Sequence, residues 1–191
     1  MLATAEQQQI VLNGCGAPLL QAAIDINFAA RYEALLSEFP KVEDYIWPKH
    51  YVSLTRQQEM VTEVSTAAGM PMRYYKATGG WWERTKKYPR QDIRAKIEMR
   101  QWVTFGMRVI PPASHYGGGG SFDDIWNALR LHRGEVLDYD ADIQTPHSPW
   151  CYTEQAYYTV LTEGFQLLQD LELLLPQGCT EGWRVKTDEM L

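Results

Sequence analysis

The first third of the chain places apolar residues at the 3.6-residue spacing of amphipathic helices. A short helix is predicted after Thr4, which has Gln7 as a capping-box partner, and it is expected to end near Gly14. One continuous helix is predicted from Pro18 to about Glu38. A further helix, over residues 55–69, begins with the same capping pattern. The N-terminal part is therefore predicted to be helical.

The hydrophobic period then changes from 3.6 to 2. Two aromatic, alternating runs flank Gly79-Gly80, which is a turn signal for a β-hairpin. From Ile93 to Val109 the odd positions are almost all apolar and the even ones largely cationic, which predicts one continuous strand with two distinct faces. About eighteen extended residues would span roughly 59 Å, far beyond a usual strand. Either Gly106 bulges, or part of this ribbon projects from the domain.

Four consecutive glycines and a second amphipathic pattern follow. Ser121 is a natural N-cap, and the apolar stripe after it predicts a short helix that ends near Gly134. Asp123 and Asp124 occupy the positive end of that helix, where a bound phosphate would meet like charge. The glycines are therefore interpreted as a slack loop, and residues 135–150 as an irregular loop.

Residues 151–175 fit two structures, because their apolar spacing suits a helix while "AYYTVLT" has the β-branched and aromatic content of a strand. A strand through Thr162, followed by a helix or second strand after Gly164, is favoured. The whole chain, residues 1–191, is predicted to be a single α+β domain. It has an antiparallel sheet with a long β-ribbon, packed by the N-terminal helices and one short amphipathic helix, and its basic region at about 70–110 projects.

Charge is distributed unevenly along the chain. The net charge is −6, yet the segment from Arg73 to Arg108 holds ten basic residues and three acidic ones. A basic ribbon of one subunit could therefore bind the acidic body of the next, a contact that closes into a ring. The predicted interaction residues are Trp81, Trp82, Arg84, Lys86, Lys87, Arg90, Arg94, Lys96, Arg100 and Trp102.

The sequence predicts no catalytic residue, metal site or cofactor. Asp138, Asp140 and Asp142 alternate as at the start of a calcium loop, but the sixth and twelfth positions lack the required Gly and Glu. Two alternatives to an assembly protein stay open. One is an enzyme or ligand-binding domain with a pocket near His115, Asp140, His147 and Cys151. The other is a nucleic-acid-binding protein that uses the basic, aromatic ribbon.

The order of elements resembles that of a known group of viral proteins. A helix precedes the long strand "RAKIEMRQWVTFGMRVI", which is followed by the short helix "SFDDIWNALRL" and a strand such as "AYYTVLT". This order looks like that of the tail-terminator and tail-completion proteins of tailed bacteriophages, and a helical C-terminal segment would fit the neck adaptor proteins instead. The resemblance implies a non-enzymatic homo-oligomeric ring that contacts other virion proteins, is cytoplasmic during assembly and is then part of the virion. No membrane association is expected, because no apolar run approaches the roughly 18 residues that a membrane span requires.

Overall fold

The computed structural model describes residues 1–41, 52–76, 80–88, 91–111, 118–143 and 147–175. The helices are α1 (Ala5–Cys15), α2 (Ala17–Asp25), α3 (Phe28–Glu38), α4 (Leu54–Ala67), α5 (Phe122–His132) and α6 (Glu154–Leu174), with a π-helical turn at Tyr139–Ile143. The strands are β1 (Arg73–Tyr75), β2 (Trp81–Tyr88), β3 (Gln91–Met99), β4 (Val103–Ile110) and β5 (Gly118–Ser121). The α+β class predicted from the sequence is confirmed.

The five strands form one antiparallel sheet in which each strand pairs with its neighbours in sequence, in the order β1-β2-β3-β4-β5. One face of this sheet carries buried apolar residues that join the apolar faces of the helices in a single core. Residues 148–151 extend the sheet beside the start of β4, since Trp102 bridges Trp150 and the Val103 amide donates to the Pro149 carbonyl at 3.2 Å. The predicted antiparallel sheet packed by helices is therefore present.

The predicted continuous strand over 93–110 is wrong, because the chain reverses between β3 and β4. Met99 pairs with Val103, and Ile93 pairs with Val109. In this register every residue faces a partner of the same parity, so the odd positions stay on the buried face on both sides of the turn. The alternation continues unbroken while the direction of the chain changes. Each strand has ordinary length, so the argument for a projecting ribbon at 70–110 no longer holds.

The N-terminal helices are present, but their ends differ from the prediction. Thr4 and Gln7 form the expected capping box, while α1 continues past Gly14 to Gly16, whose φ is 81°. The predicted helix from Pro18 to Glu38 is divided at Asn27, which is left-handed at φ 54°. Ser53, not Thr55, caps α4, because its side chain accepts the Arg56 amide.

Gly118, Gly119 and Gly120 belong to an edge strand of the sheet, so the interpretation of these glycines as a slack loop is wrong, while Gly117 lies outside the described residues. Gly118, Gly119 and Gly120 pair with Val109, Arg108 and Met107 respectively. Gly119 has φ 131°, and a Cβ there would overlap the backbone of β4. Glycine allows the two strands to approach closely. The predicted short helix does follow, capped by Ser121 and Asp124.

The C-terminal segment is the single helix α6 of 21 residues, and the predicted strand through Thr162 is wrong. The buried residues Tyr157, Leu161, Gly164 and Leu168 recur at helical spacing and face the core. Gly164 lies against the ring of Phe105 on β4, where an added Cβ would overlap ring atoms. Packing on the sheet therefore overrides the β propensity of "AYYTVLT".

The outer edge of β2 is only partly paired. β1 pairs with Trp81–Glu83. Within the described ranges, no strand lies beside the next stretch, Arg84–Tyr88, on that side. Lys86 and Lys87 are exposed along this edge. Lysines on an unpaired edge are a common protection against pairing with another chain.

We expect Gly164→Ala to lower the free energy of unfolding by about 1–3 kcal/mol, because the added methyl group overlaps the Phe105 ring in a packed core. Chemical denaturation measures the effect. The matched control is Gly14→Ala, in which the new Cβ meets nothing within 4 Å and the gain in helix propensity is up to about 1 kcal/mol. Equal stability of the two variants would contradict the proposed close packing of α6 on β4.

Candidate interaction face

The sheet face opposite the helices is lined by polar, charged and aromatic side chains, and we call it the open face. Strand register assigns its members, because each antiparallel pair places opposite residues on the same side. Those members are Arg73, Tyr75, Trp81, Glu83, Thr85, Lys87, Asp92, Arg94, Lys96, Glu98, Thr104, Gly106, Arg108, Ile110, Gly119 and Ser121. They include five cations and three carboxylates, so this face is net positive in a chain of net charge −6.

The middle row of the open face alternates in charge. Arg73 lies opposite Glu83, Glu83 opposite Lys96, and Lys96 opposite Gly106. The Lys96 ammonium also lies 2.5 Å from a carboxylate oxygen of Glu98 on the same strand. Because each carboxylate has a cation beside it, the opposite charges of this row attract one another within the subunit.

The adjacent row contains two cations and no carboxylate. Thr85 lies opposite Arg94, Arg94 opposite Arg108, and Arg108 opposite Gly119. The Arg94 Nε is 3.5 Å from an oxygen of Glu83 in the middle row. Arg94 and Arg108 are both exposed. The sheet therefore places two exposed arginines directly opposite each other on neighbouring strands.

One end of the open face is aromatic. The rings of Tyr75 and Trp81 stack with centroids 5.8 Å apart, and the Lys96 ammonium lies 4.9 Å from the Trp81 ring centre. Across the sheet, the rings of Trp102 and Trp150 are 5.0 Å apart. Tryptophan, tyrosine and arginine are the residues most enriched at protein interfaces.

A depression of about 390 Å³ lies on the open face. Its lining includes Trp81, Arg94, Lys96 and Arg108, with Asp124 at its margin. Asp124 is already engaged, because it accepts hydrogen bonds from the Ser121 amide at 2.7 Å and the Ser121 hydroxyl at 2.8 Å. Together with Glu83 and Glu98, Asp124 places three carboxylates beside the basic groups of the depression.

The ten predicted interaction residues divide between the two sides of the sheet. Trp81, Lys87, Arg94 and Lys96 lie on the open face, and Arg100 and Trp102 lie at the β3–β4 turn, with the guanidinium 5.7 Å from the ring centre. Arg90 lies outside the described residues. The prediction did not include Tyr75, Arg108 or Trp150, although Arg108 follows the same even-numbered alternation as Arg94 and Lys96.

Trp82, Arg84 and Lys86, which the sequence analysis groups with the interaction residues, lie on the helix-covered side of the sheet. Trp82 pairs with Ile97 and Arg84 with Ala95, so the even residues of β2 share a side with the odd residues of β3. Trp82 is 3% exposed and part of the core. The sequence pattern alone does not show that the even positions of β2 share a side with the odd positions of β3, and the side of these three residues depends on that pairing.

Arg84 and Lys86 bind a carboxylate of α6. Both donate hydrogen bonds to Glu172, which is 8% exposed, and the Tyr88 hydroxyl lies 3.1 Å from the same carboxylate. Burial alone would raise the pKa of Glu172, but the hydrogen bonds from Arg84 and Lys86 lower it below its ordinary value. This cluster joins β2 to α6.

We expect Glu172→Gln to reduce the free energy of unfolding by on the order of 1–3 kcal/mol, since it leaves Arg84 and Lys86 without their counter-charge. Because the pKa of Glu172 is lowered on folding, its contribution is present above about pH 4.5 and lost as pH falls through the folded pKa. Denaturation at neutral pH measures the effect, with the exposed Glu163→Gln of the same helix as control. Two indistinguishable variants would show that the cluster does not stabilise the fold.

The residues of the predicted pocket do not form one site. Asp140 lies 3.2 Å from the amino group of Met1. Cys151 is buried, and burial raises the pKa of its thiol to about 12. His147 faces Asp123 instead, and His115 lies outside the described residues. The depression on the open face is not lined by Asp140, His147 or Cys151.

Asp123 and His147 form a partly buried pair, with Oδ1 and Nδ1 3.4 Å apart. Neither atom has a closer hydrogen-bond partner among the described residues. Burial raises the pKa of Asp123, and the contact with Asp123 raises the pKa of His147 above 6.5. The Tyr32 hydroxyl donates to the His147 carbonyl at 2.5 Å, so this pair attaches the segment beside β4 to α3 and α5.

We expect the free energy of unfolding to fall as pH rises from about 6 to 8.5. The folded protein binds the His147 proton more tightly than the unfolded chain does, so the stabilisation is complete below about pH 6.5 and lost above the raised pKa. The nearby Asp142 supports the charged imidazole, and Arg130 opposes it. Denaturation at both pH values should show a smaller change in His147→Gln than in the control His132→Gln. Equal changes in both variants would exclude His147 as the source.

The described residues contain no group of three or more potential ligands for a metal ion. Asp138 binds the Met1 amino group at 2.9 Å, and Asp142 binds Arg130 at 2.7 Å, so these carboxylates have internal partners. No helix in the described ranges has the length and apolar character needed to cross a membrane. No family model, curated protein or solved structure matches the chain. A function for this chain is therefore inferred from the geometry of the open face.

Proposed function

We propose that this chain is a non-enzymatic assembly protein that associates with further copies of itself through the open face. The observation that carries the proposal is a sheet face that no helix of the described ranges covers, on which paired charges and aromatic rings surround a depression of about 390 Å³. Interfaces between proteins combine these residue types. Association through the open face does not require a ribbon that projects from the domain.

A second copy is the occupant that fits the charge distribution. The chain has 24 acidic and 18 basic residues, and the open face is one of its basic surfaces. A copy that presents an acidic surface therefore complements this face, in a heterologous contact of the kind that closes into rings. Nucleic acid fits less well, because Glu83, Asp92 and Glu98 would face its phosphates.

The narrower proposal is a ring at the neck or tail end of a bacteriophage, with other virion proteins as partners. Its support is the order of elements, in which helices precede an antiparallel sheet and a short amphipathic helix follows. The C-terminal segment is helical, and this is the condition under which the sequence resembles the neck adaptor proteins. Such a protein would be cytoplasmic during assembly and then part of the virion.

We expect sedimentation analysis to give the wild-type protein a mass that is a multiple of 22.0 kDa and to give Lys96→Glu a lower mass. The reversal places a third carboxylate beside Glu83 and Glu98 and removes the attraction for an acidic partner. Arg133→Glu is the matched control, because Arg133 and Lys96 are similarly exposed, at 47% and 43%, and each has one ion pair.

Three results would decide against the proposal. A wild-type protein that stays monomeric at all concentrations would exclude self-association. Equal masses for Lys96→Glu and Arg133→Glu would place the interface elsewhere. Binding to single-stranded or duplex DNA that weakens steeply with salt would favour the nucleic-acid alternative.

A further inference from the structure

We infer that Arg94 and Arg108 form an oxyanion-binding site on the open face, and that a carboxylate side chain of a second copy occupies it. The inference deepens the proposed function and rests on it for the identity of the occupant. The chemistry it assigns, an oxyanion between two guanidinium groups, is a property of the site in a single subunit.

The register of the sheet brings two like charges to opposite positions. Arg94 and Arg108 are directly opposite each other on β3 and β4. Like charges at opposite positions of an antiparallel pair repel and destabilise the pair. The neighbouring rows avoid this arrangement, since Lys96 lies opposite Gly106 and Asp92 lies opposite Ile110. An anion between the two arginines converts the repulsion into attraction.

The two arginines have more hydrogen-bond donors than the neighbouring acids use. A guanidinium group has five N–H donors, arranged in a plane that matches a carboxylate or phosphate. The nearest carboxylate to Arg94 is Glu83, at 3.5 Å from Nε, which is too long for a strong charge-assisted hydrogen bond. Within the described residues, no carboxylate lies within 4.0 Å of the Arg108 guanidinium. The pair therefore has free donors for a further anion.

Both arginines are accessible from solvent. Gly119 lies opposite Arg108, and Gly106 lies two residues before Arg108 on β4. No side chain at these two positions therefore covers the guanidinium groups. Both arginines line the depression. Three acids line this depression: Glu98 binds Lys96, Asp124 accepts hydrogen bonds from Ser121, and an oxygen of Glu83 lies 3.5 Å from the Arg94 Nε. The site is open to an incoming oxyanion and is not filled from within.

A carboxylate side chain fits this site better than a polymer of phosphates. A single oxyanion contacts only the row of Arg94 and Arg108, whereas a nucleic-acid strand continues over the rows of Glu83 and Asp92. Bidentate contacts between arginine and carboxylate are among the strongest polar contacts at interfaces. The acidic excess of the chain provides such side chains on a second copy.

The test compares Arg94→Gln and Arg108→Gln with Arg133→Gln as the control for loss of one positive charge. We expect the dissociation constant for self-association, measured by sedimentation, to rise at least tenfold in the first two variants and less than twofold in the control. Both arginines are exposed, so thermal unfolding should show that the variants remain folded, and Arg108→Gln should not be less stable than the wild type.

A second measurement tests the oxyanion chemistry in one subunit. Inorganic phosphate is titrated at constant ionic strength, with chloride as the replacement, and the arginine Nε–H signals are followed by NMR at a protein concentration below association. We expect a saturable shift that disappears in Arg108→Gln and persists in Arg133→Gln. Phosphate should also compete with self-association more strongly than chloride does.

The outcomes separate the two proposals. Self-association that Arg108→Gln and Arg133→Gln affect equally overturns the site and leaves the proposed function standing. A monomeric wild type that still binds phosphate through Arg108 overturns the proposed function and the second copy as occupant, while it supports the oxyanion site. A wild type that shows no saturable response to phosphate overturns the site.

Discussion

The contact of Gly164 with the ring of Phe105 determines how the molecule divides into a covered and an uncovered side. The absence of a side chain at residue 164 allows α6 to lie close to β4, and the large apolar residues of the sheet then meet those of the helix without a gap. The burial of Leu161, Phe165 and Leu168 depends on this approach. The hydrophobic driving force is satisfied on one side, so the other side of the sheet is free to be polar.

That division explains the positions of the charged groups. Where a charged side chain of β2 points towards the helices, it is paired: Arg84 and Lys86 both bind Glu172. Where charged side chains point away, the pairing is partial, and the Arg94–Arg108 row is the clearest example. Burial requires charge compensation inside the protein, whereas an exposed surface can leave that compensation to a partner.

Much of the fold follows from local patterns in the sequence, and the errors have one physical origin. The capping box at Thr4, the hairpin pairing of β1 with β2 and the short helix after Ser121 depend on residues close together in the chain, and all three are present. The direction of β4 and the parity of β2 depend on register between strands. A period of two is unchanged when a three-residue connection reverses the chain, so alternation alone cannot reveal the turn at Arg100.

The same reasoning explains what was found and missed at the open face. The even-numbered cations of β3 were identified because alternation is a local signal, and Trp82, Arg84 and Lys86 were misplaced because their side of the sheet depends on pairing with β3. Helical Val160 and Thr162 likewise follow from packing on β4, against their own β propensity. The proximity of Arg94 to Arg108 is a long-range consequence of the β3–β4 register.

The unpaired stretch of β2, with Lys86 and Lys87 along it, restricts how copies of this protein can meet. Two such edges brought together would stack like charges along both backbones, which opposes continuation of the sheet from molecule to molecule and growth into fibrils. Contact of the net positive open face with an acidic surface avoids this penalty. The lysines thus oppose edge-to-edge pairing of the kind that leads to amyloid-like aggregation.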